Sequence, residues 1–148
     1  MELKTFGEGL QFGMELETAC QRAYERVAQA GLDSELQETI TSFAQACRKR
    51  RTYLESLFKE SIYSDMDTGV FQPIGSLDGT RYGENWDEIP VSAEALEKAI
   101  RAEEKVRLFY SDFAVQIKSQ RNAVAMRFRK MAEENADRAS KLKEWKSA

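Results

Sequence analysis

The chain of 148 residues contains no histidine. Histidine is the commonest imidazole metal ligand and the usual general base near neutral pH. Its absence excludes Ser-His and Cys-His nucleophile arrangements and every His-metal constellation. Cysteine is nearly missing as well: Cys20 and Cys47 are the only two, too few and too far apart for a zinc motif or a disulfide framework. No apolar run approaches the roughly 18 to 20 residues that span a bilayer. The start, Met1 to Phe6, lacks the charged, apolar and small-residue succession of a secretory signal. With 22 basic against 25 acidic residues the net charge is −3, which gives no general surface for nucleic acid or an anionic membrane. What remains is an ordinary globular composition, 42% hydrophobic and 32% charged, expected to form one domain over residues 1–148 with a cytoplasmic address.

What the sequence does have is helical periodicity, and its most telling stretch is Leu96 to Ile117. Leu96, Ala99, Glu103, Val106, Tyr110, Phe113 and Ile117 alternate spacings of three and four, which places them on one helical face. That face is apolar except for Glu103 and the hydroxyl of Tyr110. The same rhythm occurs 86 residues earlier in Leu10, Gly13, Glu17, Cys20, Tyr24 and Val27, with Glu17 over Glu103 and Tyr24 over Tyr110. A second pair of stripes is related by 88 residues: Leu36, Ile40, Phe43, Cys47, Arg50, Leu54, Leu57 and Val124, Phe128, Met131, Asn135, Arg138, Leu142, Trp145. The chain thus reads as a helical hairpin followed by a copy of itself.

The four helices are predicted at about 10–30, 35–62, 93–118 and 122–146. Gly31 is placed as a C-cap of the first, Asp33 or Ser34 as the N-cap of the second, and Ser92 as the N-cap of the third. Between the halves, residues 63–91 hold both prolines and four of the eight glycines. Such a long connection is uncommon in a compact domain. Fully extended it reaches about 95 Å, against roughly 40 Å for a helix of this length, so it can return along the bundle and make helices two and three parallel. Its Asp65-x-Asp67-x-Gly69 fragment lacks the Glu at position twelve of a calcium loop, where Ser76 stands. The run Cys47-Arg48-Lys49-Arg50-Arg51, wound on a helix, points its charges in different directions.

In an antiparallel hairpin, moving along one helix moves an equal distance back along the other. Glu17 with Arg50 and Cys20 with Cys47 satisfy one such register, and Glu103 with Arg138 and Val106 with Asn135 satisfy another. Their centres fall at residues 31–34 and 119–121, where turns are expected. Each glutamate therefore faces an arginine, and the two cysteines face each other as buried small hydrophobes.

A four-helix bundle with one long crossover, up-down-down-up, is the ferritin-like arrangement. The stretch Glu17 to Tyr24 resembles the first ligand helix of rubrerythrin-like proteins, in which a ligand Glu precedes a Tyr by seven. Glu103 to Tyr110 is similar to that family's third helix, and Phe128 to Glu134 resembles the approach to its Glu-x-x-His motif. The resemblance implies an all-α ferritin-like fold and a di-iron oxidoreductase site. Where it implies Glu-x-x-His, however, the chain has Cys47-x-x-Arg50 and Asn135-x-x-Arg138. Of six implied ligands only Glu17 and Glu103 remain, beside guanidiniums that stay protonated and accept nothing.

The expectation is thus a metal-free core with no cofactor, in which Glu17, Glu103, Arg50 and Arg138 form a salt-bridge cluster with Tyr24 and Tyr110 as further partners. Two Glu and two Arg sum to zero charge, and buried charges are tolerated when paired. The leading functional expectation is a non-enzymatic protein acting through protein contacts as a homodimer. One alternative is an unconventional metal-binding oxidoreductase using Glu17 and Glu103. The other is a thiol switch built on Cys20 and Cys47.

Overall fold

The computed structural model describes residues 2–29, 33–69, 71–83 and 94–147. Four helices make the bundle: α1 (Phe6–Ala28), α2 (Ser34–Thr68), α3 (Glu94–Ile117) and α4 (Asn122–Ser147). Two short strands, β1 (Glu2–Thr5) and β2 (Pro73–Asp78), form an antiparallel ribbon, and a single 3-10 turn follows at Gly79–Arg81. The all-α bundle is as expected; the ribbon is an addition to it.

Direction follows from which residues meet. Tyr24 on α1 bonds Glu103 on α3, and Tyr110 on α3 bonds Glu17 on α1. Seven residues forward on one helix are seven back on the other, so α1 and α3 are antiparallel. Arg50 meets Asn135 while Cys47 meets Arg138, which makes α2 and α4 antiparallel by the same reasoning. Together with the two hairpins, α1 with α2 and α3 with α4, this is the up-down-down-up order, with α2 and α3 parallel.

Helix boundaries depart from the expected ones for local reasons. The first helix begins at Phe6 instead of residue 10 because Thr5 and Glu8 form a capping box: Glu8 N donates to Thr5 Oγ1 and Thr5 N to Glu8 Oε1, both at 3.1 Å. It ends at Ala28 with Gln29 as C-cap; Gly31 lies outside the described residues. Asp33 is the N-cap of α2, its Oδ1 accepting from Leu36 N at 3.0 Å. The second helix continues six residues past the expected end, to Thr68, and stops where Gly69 adopts a left-handed φ of 72° and donates to Asp65 O. The calcium-like fragment is therefore the last turn and cap of a helix. Ser92 lies outside the described residues.

The crossover 63–91 is consequently not one loop. Its first part is helix, its middle is β2, and residues 84–93 lie outside the described set. Leu3, Ile74 and Leu77 are buried, so the ribbon seats an apolar edge on the bundle. Tyr82 fastens it further, with its ring against Phe12 and Phe109 and its hydroxyl donating to Asp112 at 2.7 Å. The core beneath is dense in aromatics: the tilted rings of Phe109 and Phe113 lie 5.4 Å apart, and Phe113 meets Phe128 at 5.0 Å. Gly9 and Gly13 let these rings approach α1, since a Cβ on Gly9 would sit 2.5 Å from the Phe113 ring.

Candidate functional site

Midway along the bundle the apolar core gives way to one polar layer. Glu17, Arg50, Glu103, Asn135 and Arg138 are buried there, between 0% and 8% exposed. Each comes from a stripe position where the three-four spacing points inward, so the helices have no alternative but to bury them. Glu17 and Glu103 lie on α1 and α3; Cys47 and Arg50, and Asn135 and Arg138, lie one turn apart on α2 and α4.

Each glutamate has its facing arginine. Arg50 Nη1 is 3.5 Å from Glu17 Oε1, and Arg138 Nη1 is 3.6 Å from Glu103 Oε1. The tyrosines cross between the halves: Tyr110 donates to Glu17 Oε1 at 2.6 Å and Tyr24 to Glu103 Oε1 at 2.5 Å. Arg50 is further held by Asn135 Oδ1 at 2.7 Å, the Met131 carbonyl at 2.7 Å and Glu134 at 3.1 Å. Its guanidinium also lies 5.5 Å from the Tyr110 ring centroid, and that of Arg138 lies 5.8 Å from the Phe43 ring. These are the charge-assisted and cation–π partners that make buried guanidiniums tolerable. The neighbours Arg48, Lys49 and Arg51 point to solvent.

The two halves differ in one respect that the stripes alone do not reveal. In the second half, Asn135 Nδ2 donates to Glu103 Oε2, so both oxygens of that carboxylate are engaged. The equivalent position in the first half is Cys47, and Glu17 Oε2 is buried without a hydrogen-bond partner. Cys47 instead meets Cys20, sulfur to sulfur at 2.7 Å, and both thiols are free. Cys20 also lies 3.9 Å from Glu103 Oε1, and Cys47 lies 3.9 Å from Arg138 Nη1. A Glu17 carboxylate oxygen and the two sulfurs are all within 4.8 Å of one another. Among the described residues, this three-donor group, not Glu17 with Glu103, is the one with metal-ligating types gathered closely.

Burial sets the electrostatics. It pushes the Glu17 carboxyl up, and Arg50 and the Tyr110 hydroxyl only partly offset it. It raises the thiols of Cys20 and Cys47, and it raises Tyr24 and Tyr110, whose partner glutamates raise them further. Both tyrosines are therefore neutral donors near pH 7. For Arg138, burial is the largest single influence and lowers the pKa, but Glu103, the two cysteines and Glu17 together outweigh it and hold the charge.

A raised folded pKa means that the stability contribution of Glu17 is complete below its unfolded value near 4.5 and is lost as pH rises through the folded value. Glu17→Gln keeps the shape and removes the titration. The stability of the natural chain relative to Glu17→Gln is accordingly expected to fall as pH rises above 4.5. Urea unfolding across that range checks it; a difference that rises with pH contradicts the assignment.

The orphan oxygen gives a second expectation. Cys20→Val with Cys47→Asn copies Val106 and Asn135 into the first half and supplies the missing donor to Glu17 Oε2. An unsatisfied buried acceptor costs about 1 to 3 kcal/mol, so this double variant should unfold at higher urea than the reduced natural chain. Equal or lower stability would show that the two halves are not interchangeable at this layer.

The family model for Rubrerythrin matches residues 94–148, which covers α3 and α4 with Glu103, Tyr110, Asn135 and Arg138. No curated protein and no solved structure matches the chain. The second hairpin is thus similar to the rubrerythrin family, and the four helices together form an all-α bundle in the up-down-down-up order.

The di-iron centre that such a fold implies does not fit the residues present. Arg50 and Arg138 bring positive charge into its layer, and the Asn135 amide is engaged between Glu103 and Arg50. Oε1 of each glutamate already accepts from a tyrosine hydroxyl and faces a guanidinium.

Proposed function

We propose that this is a non-enzymatic ferritin-like protein in which a metal-free ion-pair layer holds the four helices in register, and which acts through its surface, as a homodimer in the cytoplasm. The observation that carries the reading is the pairing of each buried glutamate with an arginine and with the tyrosine of the opposite half. Such a layer is self-neutral, and its value is specificity of register in place of chemistry. No helix among the described residues is long and apolar enough to cross a membrane. A surface role is supported by the far end of α2, where Tyr63 and Met66 are 75% and 77% exposed, and by Phe71 just beyond it at 70%. Apolar side chains gathered at one end suit a protein contact.

The metal content of protein expressed in iron-supplemented medium tests the reading. Less than about 0.1 equivalent of iron, manganese or zinc is expected, because guanidiniums donate no lone pair. One or two equivalents of iron would overturn it, and sedimentation of the same sample reports the dimer.

A further inference from the structure

We infer that Cys20 and Cys47 are a reversible dithiol/disulfide couple, oxidised inside the bundle by a small neutral hydroperoxide such as hydrogen peroxide. The inference goes beyond the ion-pair reading, since closing this bond requires neither a metal nor the pairing of Glu103 with Arg138.

Geometry carries it. The sulfurs are 2.7 Å apart on antiparallel helices of one hairpin. A disulfide needs about 2.05 Å, whereas two sulfurs on one tetrahedral ion, each at about 2.3 Å, stand roughly 3.8 Å apart. The pair is nearer to bonding than to chelating. The comparison between halves points the same way: Val106 and Asn135 complete the layer in α3 and α4, while Cys20 and Cys47 in α1 and α2 leave Glu17 Oε2 without a donor. An orphaned buried acceptor in a native core calls for an explanation. The same Glu17 carboxylate places an oxygen within 4.8 Å of both sulfurs, a proton acceptor for a thiol that must shed its proton to react. The positive Arg138 beside Cys47 favours that sulfur as the attacking thiolate. Cys20 and Cys47 are 2% and 0% exposed, so a bulky disulfide cannot reach them and a small neutral oxidant is required.

The chemistry balances without further partners. Cys47 Sγ attacks one peroxide oxygen; the S–O bond forms, the O–O bond breaks, and the departing hydroxide leaves as water with the thiol proton relayed by Glu17. Cys20 Sγ then attacks Cys47 Sγ, the S–S bond forms, the S–O bond breaks, and the hydroxyl leaves as a second water with the Cys20 proton. Two thiols lose two electrons, and one peroxide becomes two waters. Neither state changes the net charge of the buried layer. An external dithiol returns the couple to its reduced form.

The test is to expose the reduced full-length chain to a small excess of hydrogen peroxide, then alkylate in denaturant and measure the intact mass. The expected result is joint loss of both alkylation sites, a mass lower by two hydrogens, a monomeric chain on a non-reducing gel, and full reversal by dithiothreitol. Cys20→Ser should instead retain a Cys47 sulfenic acid that a cyclic 1,3-dione traps; Cys20→Ala serves if the serine chain does not fold. Two alkylatable thiols after a dose that fully oxidises a free small thiol would overturn the inference. So would oxidation of either cysteine beyond sulfenic acid, or a cross-link between chains.

Discussion

Glu103→Ala is expected to destabilise the protein by about 3 to 5 kcal/mol, the cost of breaking a buried ion pair from one side. Glu103 is fully buried and accepts from Tyr24 and Asn135, with Arg138 at 3.6 Å. Its removal strands a guanidinium that cannot deprotonate and takes away the carboxylate to which Tyr24 and Asn135 donate. Glu103→Leu with Arg138→Met removes both desolvation penalties together, so the double variant should recover most of that loss and could equal the natural chain. Urea unfolding of both single variants and the double variant measures the coupling. Additive effects under about 0.5 kcal/mol, as for ordinary surface changes, would deny the pair any structural role.

Phe109→Ala is expected to cost a similar amount, about 3 to 5 kcal/mol, because the ring is fully buried and its neighbours cannot collapse onto the void. Phe109 packs in tilted or edge-on contact with the rings of Phe12, Tyr82, Tyr110 and Phe113, centroids 5.3 to 5.4 Å apart. One of these contacts holds the crossover, through Tyr82, and another supports the donor to Glu17, through Tyr110. Calorimetry should therefore show a lowered midpoint, and hydrogen exchange should show the ribbon amides losing protection first. A loss below about 1 kcal/mol would mean that the aromatic cluster is not the continuous core described.

The bundle and its polar layer were legible because both depend on spacing alone. A three-four rhythm forces Glu17, Glu103, Arg50 and Arg138 onto inward faces, and the hairpin register then pairs them; in the structure the facing groups lie 3.5 and 3.6 Å apart. Spacing along single helices could not say which tyrosine serves which glutamate, because that depends on how the two hairpins dock; the exchange of Tyr24 and Tyr110 between halves became visible only in three dimensions. The orphan Oε2 of Glu17 had a signal in the sequence, the substitution of cysteine for asparagine between repeats, but its consequence is a matter of side-chain geometry. The ribbon was missed for a different reason. Leu3 with Ile74 and Leu77 is too short a pattern to read as strands, and the two segments pair across some 70 residues. The capping box at Thr5 and Glu8 was there to be read, and it would have started the first helix four residues earlier.

The central claim, that arginines have taken the places of metal ligands in an otherwise ferritin-like layer, is tested most directly by anaerobic equilibrium dialysis against ferrous iron. The natural chain is compared with a variant carrying Cys47→Glu, Arg50→His, Asn135→Glu and Arg138→His, which restores two Glu-x-x-His pairs opposite Glu17 and Glu103. The claim predicts no stoichiometric iron on the natural chain and about two ions on the rebuilt one, the number that a six-ligand di-iron layer holds. Stoichiometric iron on the natural chain, lost in Glu103→Leu with Arg138→Met, would contradict it.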